Sequence, residues 1–180
     1  MFYIFFADGF EEVEAIATLD VIRRAGIENE SVGIGSKSIT GAHGINVICD
    51  KVESEIKING NLNGIILPGG MPGTTNLLNS KSVNDSIDYC YNNHLFICAI
   101  CAAPLILGRK GILKGREAVC FPGFENELKE AVISDSFVCR DDNIITAKGM
   151  GSAVNFGLEI VSAVCGKETA DKLKSTLQCS

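Results

Sequence analysis

The apolar run LFICAICAAPLIL at positions 95–107 carries two cysteines spaced by two residues, Cys98 and Cys101. Such a pair invites thiol–disulfide exchange, metal binding or nucleophilic attack. Redox pairs of the CxxC type hold both sulfurs in the first turn of a helix. Here Cys98 falls three residues back along a strand. At about 3.3 Å per residue its Cα lies near 10 Å from that of Cys101, beyond the roughly 7 Å that a disulfide spans unless the chain reverses. Zinc is a weak reading, because no second CxxC or histidine pair with ligand spacing is present.

What remains is Cys101 at a strand-to-helix turn, followed by the small Ala102 and Ala103 and by Pro104 at an early helical position. Free backbone N–H groups and the helix dipole at such a turn lower a thiol pKa. The geometry is that of a nucleophile elbow with cysteine in place of serine. A buried, inert cysteine is the competing reading.

A second group lies in GFEEVEAIATLDVIRRAG, residues 9–26. Phe10, Val13, Ala17 and Val21 recur at helical spacing and predict one apolar face, on which Glu14 also falls. A carboxyl buried there tends to stay protonated and can donate a hydrogen bond; at the border of the stripe it reaches solvent instead. Glu11 and Glu12 need only complement the helix dipole. A third group is ILPGGMPG, residues 66–73, where Gly69 and Gly70 leave backbone N–H groups open to a ligand and could supply an oxyanion donor, or where the turn simply needs glycine. The two histidines, His43 in a turn and His94 at a helix end, read as surface residues.

These groups need a scaffold, and the sequence alternates β-like and helical runs as an α/β sheet with crossover helices does. Strands are predicted at 2–7, 31–35, 45–49, 64–68, 95–100, 116–121 and 143–147, with a short one at 137–139. Helices are predicted at 11–25, 74–79, 82–93, 103–109, 124–131, 151–165 and 168–177. The continuously apolar strands 2–7, 64–68 and 95–100 suit the centre of a parallel sheet. A doubly wound sheet follows, with ligands beyond the C-terminal ends of its strands, where each motif falls.

At 180 residues and 46% hydrophobic content the chain suits a single domain, 1–180. A net charge of −6 gives no basic stripe for nucleic acid or an anionic membrane. The opening FYIFFA lacks a basic flank and is followed by acids, so it does not read as a signal peptide, and the uncharged run at 95–108 is too short to span a bilayer. A soluble, cytoplasmic protein is expected. Of the eight cysteines, those at 49, 98, 120, 139 and 165 lie in apolar stretches and are expected to pack as small hydrophobes. No cofactor is expected; GMGSAVNFG at 149–157 is only a loose glycine pattern.

Taken together, DGFEEVEA, LPGGMPG and AICAAPLIL resemble in order and spacing the ThiJ/PfpI superfamily, the clan of the Parkinson-disease protein deglycase. The resemblance continues through FPGFE at 121–125 and TAKGMGSAVNFGLEIV at 146–161. It implies a flavodoxin-like homodimer with Cys101 as nucleophile, Glu14 as the carboxyl bonded to it, and the N–H groups of Gly70 and Ala102 at the oxyanion site. Its substrates would be reactive dicarbonyls such as glyoxal and methylglyoxal, or glycated protein. Two departures stand out: Ala102 follows the cysteine where the protease-like branch has histidine, which weakens a peptidase or amidase reading, and Phe121 stands where the animal deglycase has histidine. His43 falls near the place where family dimers bring a partner-chain basic residue toward the pocket, an auxiliary role. The alternative to an enzyme is an oxidative-stress sensor or chaperone-like protein that uses oxidation of Cys101.

Overall fold

The computed structural model describes residues 1–179. The chain begins with β1 (Phe2–Phe6), α1 (Glu12–Arg24) and β2 (Asn29–Gly33), then forms the hairpin β3 (Ser38–Thr40) and β4 (Asn46–Ile48) and the short β5 (Lys51–Val52). Next come β6 (Gly64–Leu67), α2 (Gly73–Asn79), α3 (Lys81–Asn92), β7 (Phe96–Ile100) and α4 (Pro104–Arg109). The last third holds β8 (Glu117–Ala118), β9 (Val132–Ile133), β10 (Val138–Asp141), β11 (Ile144–Ala147), α5 (Ala153–Cys165) and α6 (Lys167–Thr176).

Seven strands form the central sheet in the order β10-β11-β7-β6-β1-β2-β5, all parallel except β10, which runs antiparallel to β11. This is the flavodoxin-like, doubly wound, mostly parallel architecture expected, and its strand order reverses beside β1. Because side chains alternate across a strand, the central strands feed two cores. Tyr3, Phe5, Ile65, Leu67, Ile97 and Ala99 pack toward α2, α3 and α4. Phe2, Ile4, Phe6, Ile66, Cys98 and Ile100 pack toward α1, α5 and α6. Gly157 lets α5 approach α1 closely: a Cβ there would stand 2.9 Å from Val21 Cβ.

Several expectations need correction. Residues 116–121 give only the two-residue β8, which pairs with β9 outside the main sheet, because Asp141 takes the Glu117 N–H and Thr146 takes the Val119 N–H. The helix expected at 124–131 is a single 3-10 turn at Glu125–Glu127. The strand at 45–49 belongs to the hairpin with β3 rather than to the sheet. The stripe proposed for α1 is rotated: Val13 is 45% exposed, and the buried side runs through Glu14, Ala15, Thr18, Val21 and Ile22. Glu14 is therefore buried, but on a face set by α5 rather than by Val13. Cys165 is exposed instead of packed, while Cys90, inside the polar-looking α3, is buried. All eight cysteines are free thiols.

Candidate active site

The site forms where β6 and β7 end side by side. Leaving β7, the chain places Cys101 at φ 66°, a left-handed conformation that costs a non-glycine residue on the order of 1–2 kcal/mol. Two segments hold it there: Cys101 N–H donates to the Ala147 carbonyl at 2.8 Å, and the Cys101 carbonyl accepts from Phe121 N–H at 2.8 Å. The turn then enters α4 through Pro104 at the helix start, so the elbow read from the sequence is present.

The glycine pair after β6 divides its work. Gly69 N–H donates to Glu14 Oε2 at 2.9 Å, so it serves the carboxyl rather than an oxyanion. Its own position tolerates no side chain: a Cβ would lie 2.6 Å from Cys101 Cβ and 2.7 Å from Glu14 Oε2. Gly70 adopts φ 89° against the Glu11 backbone, and its N–H and that of Ala102 lie beside Cys101, where they favour the thiolate. The loop is stapled to the start of α1, since Glu11 N–H donates to the Gly69 carbonyl and Gly73 N–H to that of Gly9.

Glu14 is 1% exposed. Its Oε1 has no fully formed hydrogen bond among the described residues, and the carboxyl's other polar neighbours are the Cys101 thiol and the Met150 N–H. Burial raises this carboxyl to about 7; hydrogen bonding with Cys101, Gly69 and Met150 opposes the rise, and the charge of Glu11 adds to it. Burial also pushes the Cys101 thiol up, to about 12, with the Glu14 charge as the next cause and the Ala102 and Gly70 N–H groups opposing. The lowering expected at a helix start is thus reversed: α4 is only six residues long, and the sulfur lies beside an acid out of water. The two groups titrate as a pair. While Glu14 keeps its proton it can donate to a thiolate; once ionised, it holds the thiol protonated.

His43 does not join this pair. Its backbone N–H and its Nδ1 meet Glu12 at 2.7 and 2.8 Å, and its side chain is 73% exposed. Glu12, read from the sequence only as an acid complementing the helix dipole, is buried at 4% exposure. Burial opposes its ionisation, yet hydrogen bonds from the His43 ring, His43 N–H and Ile45 N–H leave its pKa below the ordinary carboxylate value. No local pattern announces this contact, since its partners lie 31 residues apart. Phe121 stands with its ring against Gly149, where a Cβ would lie 3.2 Å from that ring and 3.7 Å from Glu14 Oε1. Gly149, Met150 and Phe137 carried no chemical signal in the sequence and reach the site only through the fold.

Fold and site together define a class: a flavodoxin-like α/β protein whose strained cysteine, at the end of a central strand, faces a buried carboxyl and two backbone N–H donors. The chain belongs to the DJ-1/PfpI family, whose sequence model matches residues 2–163. It is 32% identical over 177 residues to protein DJ-1alpha of Drosophila melanogaster, covering 97% of this chain and 82% of that one. Against protein DJ-1 homolog A of Arabidopsis thaliana it is 33% identical over 175 residues, or 95% of this chain, but spans only 44% of that protein's length. The solved structure of oxidised DJ-1 from Toxoplasma gondii matches it with a TM-score of 0.95 at 29% identity, over 99% of this chain and 98% of that one.

Proposed function

We propose that the protein is a cofactor-independent, cysteine-dependent enzyme of the glyoxalase or deglycase type, acting on reactive dicarbonyls or on the adducts they form with proteins. The observation that carries this reading is the pairing of Cys101, with the Gly70 and Ala102 N–H groups beside it, and a buried Glu14 whose Oε1 is unpartnered. With methylglyoxal, the sulfur adds to the aldehyde carbon, and the carbonyl oxygen takes up the thiol proton while the two N–H groups hold its developing charge. Glu14 then removes the proton from that carbon and returns it to the neighbouring carbon, while the hydroxyl proton on the first oxygen passes to the ketone oxygen. The aldehyde carbon is oxidised to a thioester and the ketone is reduced to an alcohol. Water cleaves the thioester, releasing lactate and restoring the thiol. Among the described residues Glu14 is the one acid–base side chain bonded to the cysteine, so turnover is slow. The test is lactate formation from methylglyoxal: wild type forms it, Cys101→Ser abolishes it, and Glu14→Gln lowers kcat by at least 100-fold. Absence of Cys101-dependent lactate or glycolate would remove the reading.

A second reading, oxidation of Cys101 to a sulfinate in a stress sensor, draws on the same Oε1: a protonated Glu14 could donate to a sulfinate oxygen. Clean sulfinate formation without turnover would favour it. We further propose a cytoplasmic homodimer, and the net charge of −6 speaks against nucleic-acid or anionic-membrane partners. No helix among the described residues is long and apolar enough to cross a membrane. Val13 and Ile16 on α1 stand exposed, as do Ile45 and Ile48 of the hairpin that Glu12 ties to that helix, and they offer the contact face. Ile48→Glu should then convert the dimer to monomer in light scattering.

A further inference from the structure

Beside the catalytic pair lies a hollow of about 340 Å³, lined by Phe121, Pro122, Phe137, Met150 and the backbone of 148–152. Three large apolar side chains, Phe121, Phe137 and Met150, stand 47%, 70% and 55% exposed around it. Burying such groups is favourable, so their gathering at one place marks a site that receives apolar matter.

The polar groups of the lining are spent within it. Ser152 Oγ donates to the Gly149 carbonyl at 2.8 Å, and Lys148 N–H donates to the Phe137 carbonyl at 3.0 Å. Lys148 Nζ is drawn back to the Asp135 carbonyl at 2.9 Å and sits 5.4 Å from the Phe137 ring centroid, so it braces that ring. The surface left facing the hollow is mainly carbon. The hollow also adjoins the reacting atoms: Phe121 is bonded through its N–H to the Cys101 carbonyl, its ring lies against Gly149, and Met150 N–H faces Glu14.

We propose that this hollow is the subsite for the substituent of the carbonyl substrate, and that Phe121, Phe137 and Met150 select α-oxoaldehydes bearing an aromatic or branched apolar group over methylglyoxal. The proposal rests on the carbonyl-addition reading and names the substrate class for it. With phenylglyoxal the chemistry is unchanged: the aldehyde carbon is oxidised, the ketone carbon is reduced, one water is consumed and mandelate leaves. A phenyl group buries enough additional apolar surface to favour it by about tenfold or more.

The experiment has two arms. In the first, Cys101 is alkylated by 2-bromoacetophenone or by bromoacetone, each rate being divided by the rate with glutathione and the site read by peptide mass spectrometry. The thiolate displaces bromide from carbon in both, so only the substituent differs. The second arm measures kcat/KM for phenylglyoxal and methylglyoxal. The expected result is a phenyl preference of at least tenfold in both arms, falling at least fivefold in Phe137→Ser and in Met150→Ser. A normalised preference near unity, or one unchanged in both variants, overturns the proposal. A phenyl preference in alkylation without turnover of either dicarbonyl supports the subsite and refutes the enzyme reading. Turnover of methylglyoxal with no phenyl preference does the reverse.

Discussion

Replacing Glu14 by glutamine should uncover a thiol that titrates below its wild-type position. In the wild type the pair releases its first proton near pH 7, where Glu14 titrates, and the thiol then holds its own to about 12. Burial is the largest cause of that rise and the Glu14 charge the next, so removing the charge recovers only part of it, on the order of one to two pH units. With glutamine in place burial, the largest cause, remains, so the thiol titrates below about 12 but still above an ordinary thiol. The same figures set the wild-type behaviour. Between about 7 and the second ionisation the proton left on the pair sits mainly on sulfur, so only a small fraction of pairs is thiolate beside a protonated Glu14. Iodoacetamide labelling of Cys101, followed by peptide mass spectrometry from pH 5 to 11, should rise through pH 7 to a low plateau in the wild type. In Glu14→Gln it should show a single midpoint roughly one to two pH units below about 12 and overtake the wild type at high pH. Identical profiles for the two proteins, or a midpoint moved upward by the substitution, would refute the coupled-pair reasoning.

Stability gives an independent reading of the same group. A carboxyl raised in the folded state binds its proton more tightly there, so its stabilising contribution is complete at low pH and is lost as pH rises through about 7. Wild type relative to Glu14→Gln should lose about 3 kcal/mol between pH 4 and 8 in urea unfolding. Gly69→Ala should slow Cys101 labelling at least tenfold, because its Cβ has no room beside Cys101 and Glu14; unchanged labelling would contradict the packing. Glu12→Ala should cost about 1–2 kcal/mol by removing the buried acceptor of the His43 and Ile45 N–H groups, while His43→Ala, which removes only an exposed ring, should leave stability nearly unchanged, both read by denaturant titration. Gly157→Ala should lower stability by about 1–3 kcal/mol by forcing α5 away from Val21.

Elements with a strong period were legible in the sequence, as were the residues at strand ends. β1, β6 and β7 are continuous apolar runs, and the sheet buries them on both faces, as it does β11. Cys101 and Gly70 could be placed because a strand-to-helix turn and a glycine pair are local features. Glu14 was found on a stripe that the fold rotates, since α1 packs by Ala15, Thr18 and Val21 against α5 and leaves Val13 outside. Glu12 was not legible, because its buried carboxylate depends on a turn 31 residues away. The direction of the thiol titration was missed for a related reason: a turn lowers a pKa by local dipoles, whereas burial and the neighbouring Glu14 are tertiary facts.

The anchoring of Cys101 has a further meaning during synthesis of the chain. Its two backbone bonds go to Phe121 and Ala147, both downstream, so neither partner exists when the cysteine is first made. Until β11 has been synthesised and docked against β7, nothing holds this residue in its strained turn, and its thiol behaves like the other seven. Its distinctive chemistry therefore appears late and together with the completed sheet, which makes selective labelling of one side chain a clock for the moment the chain becomes native.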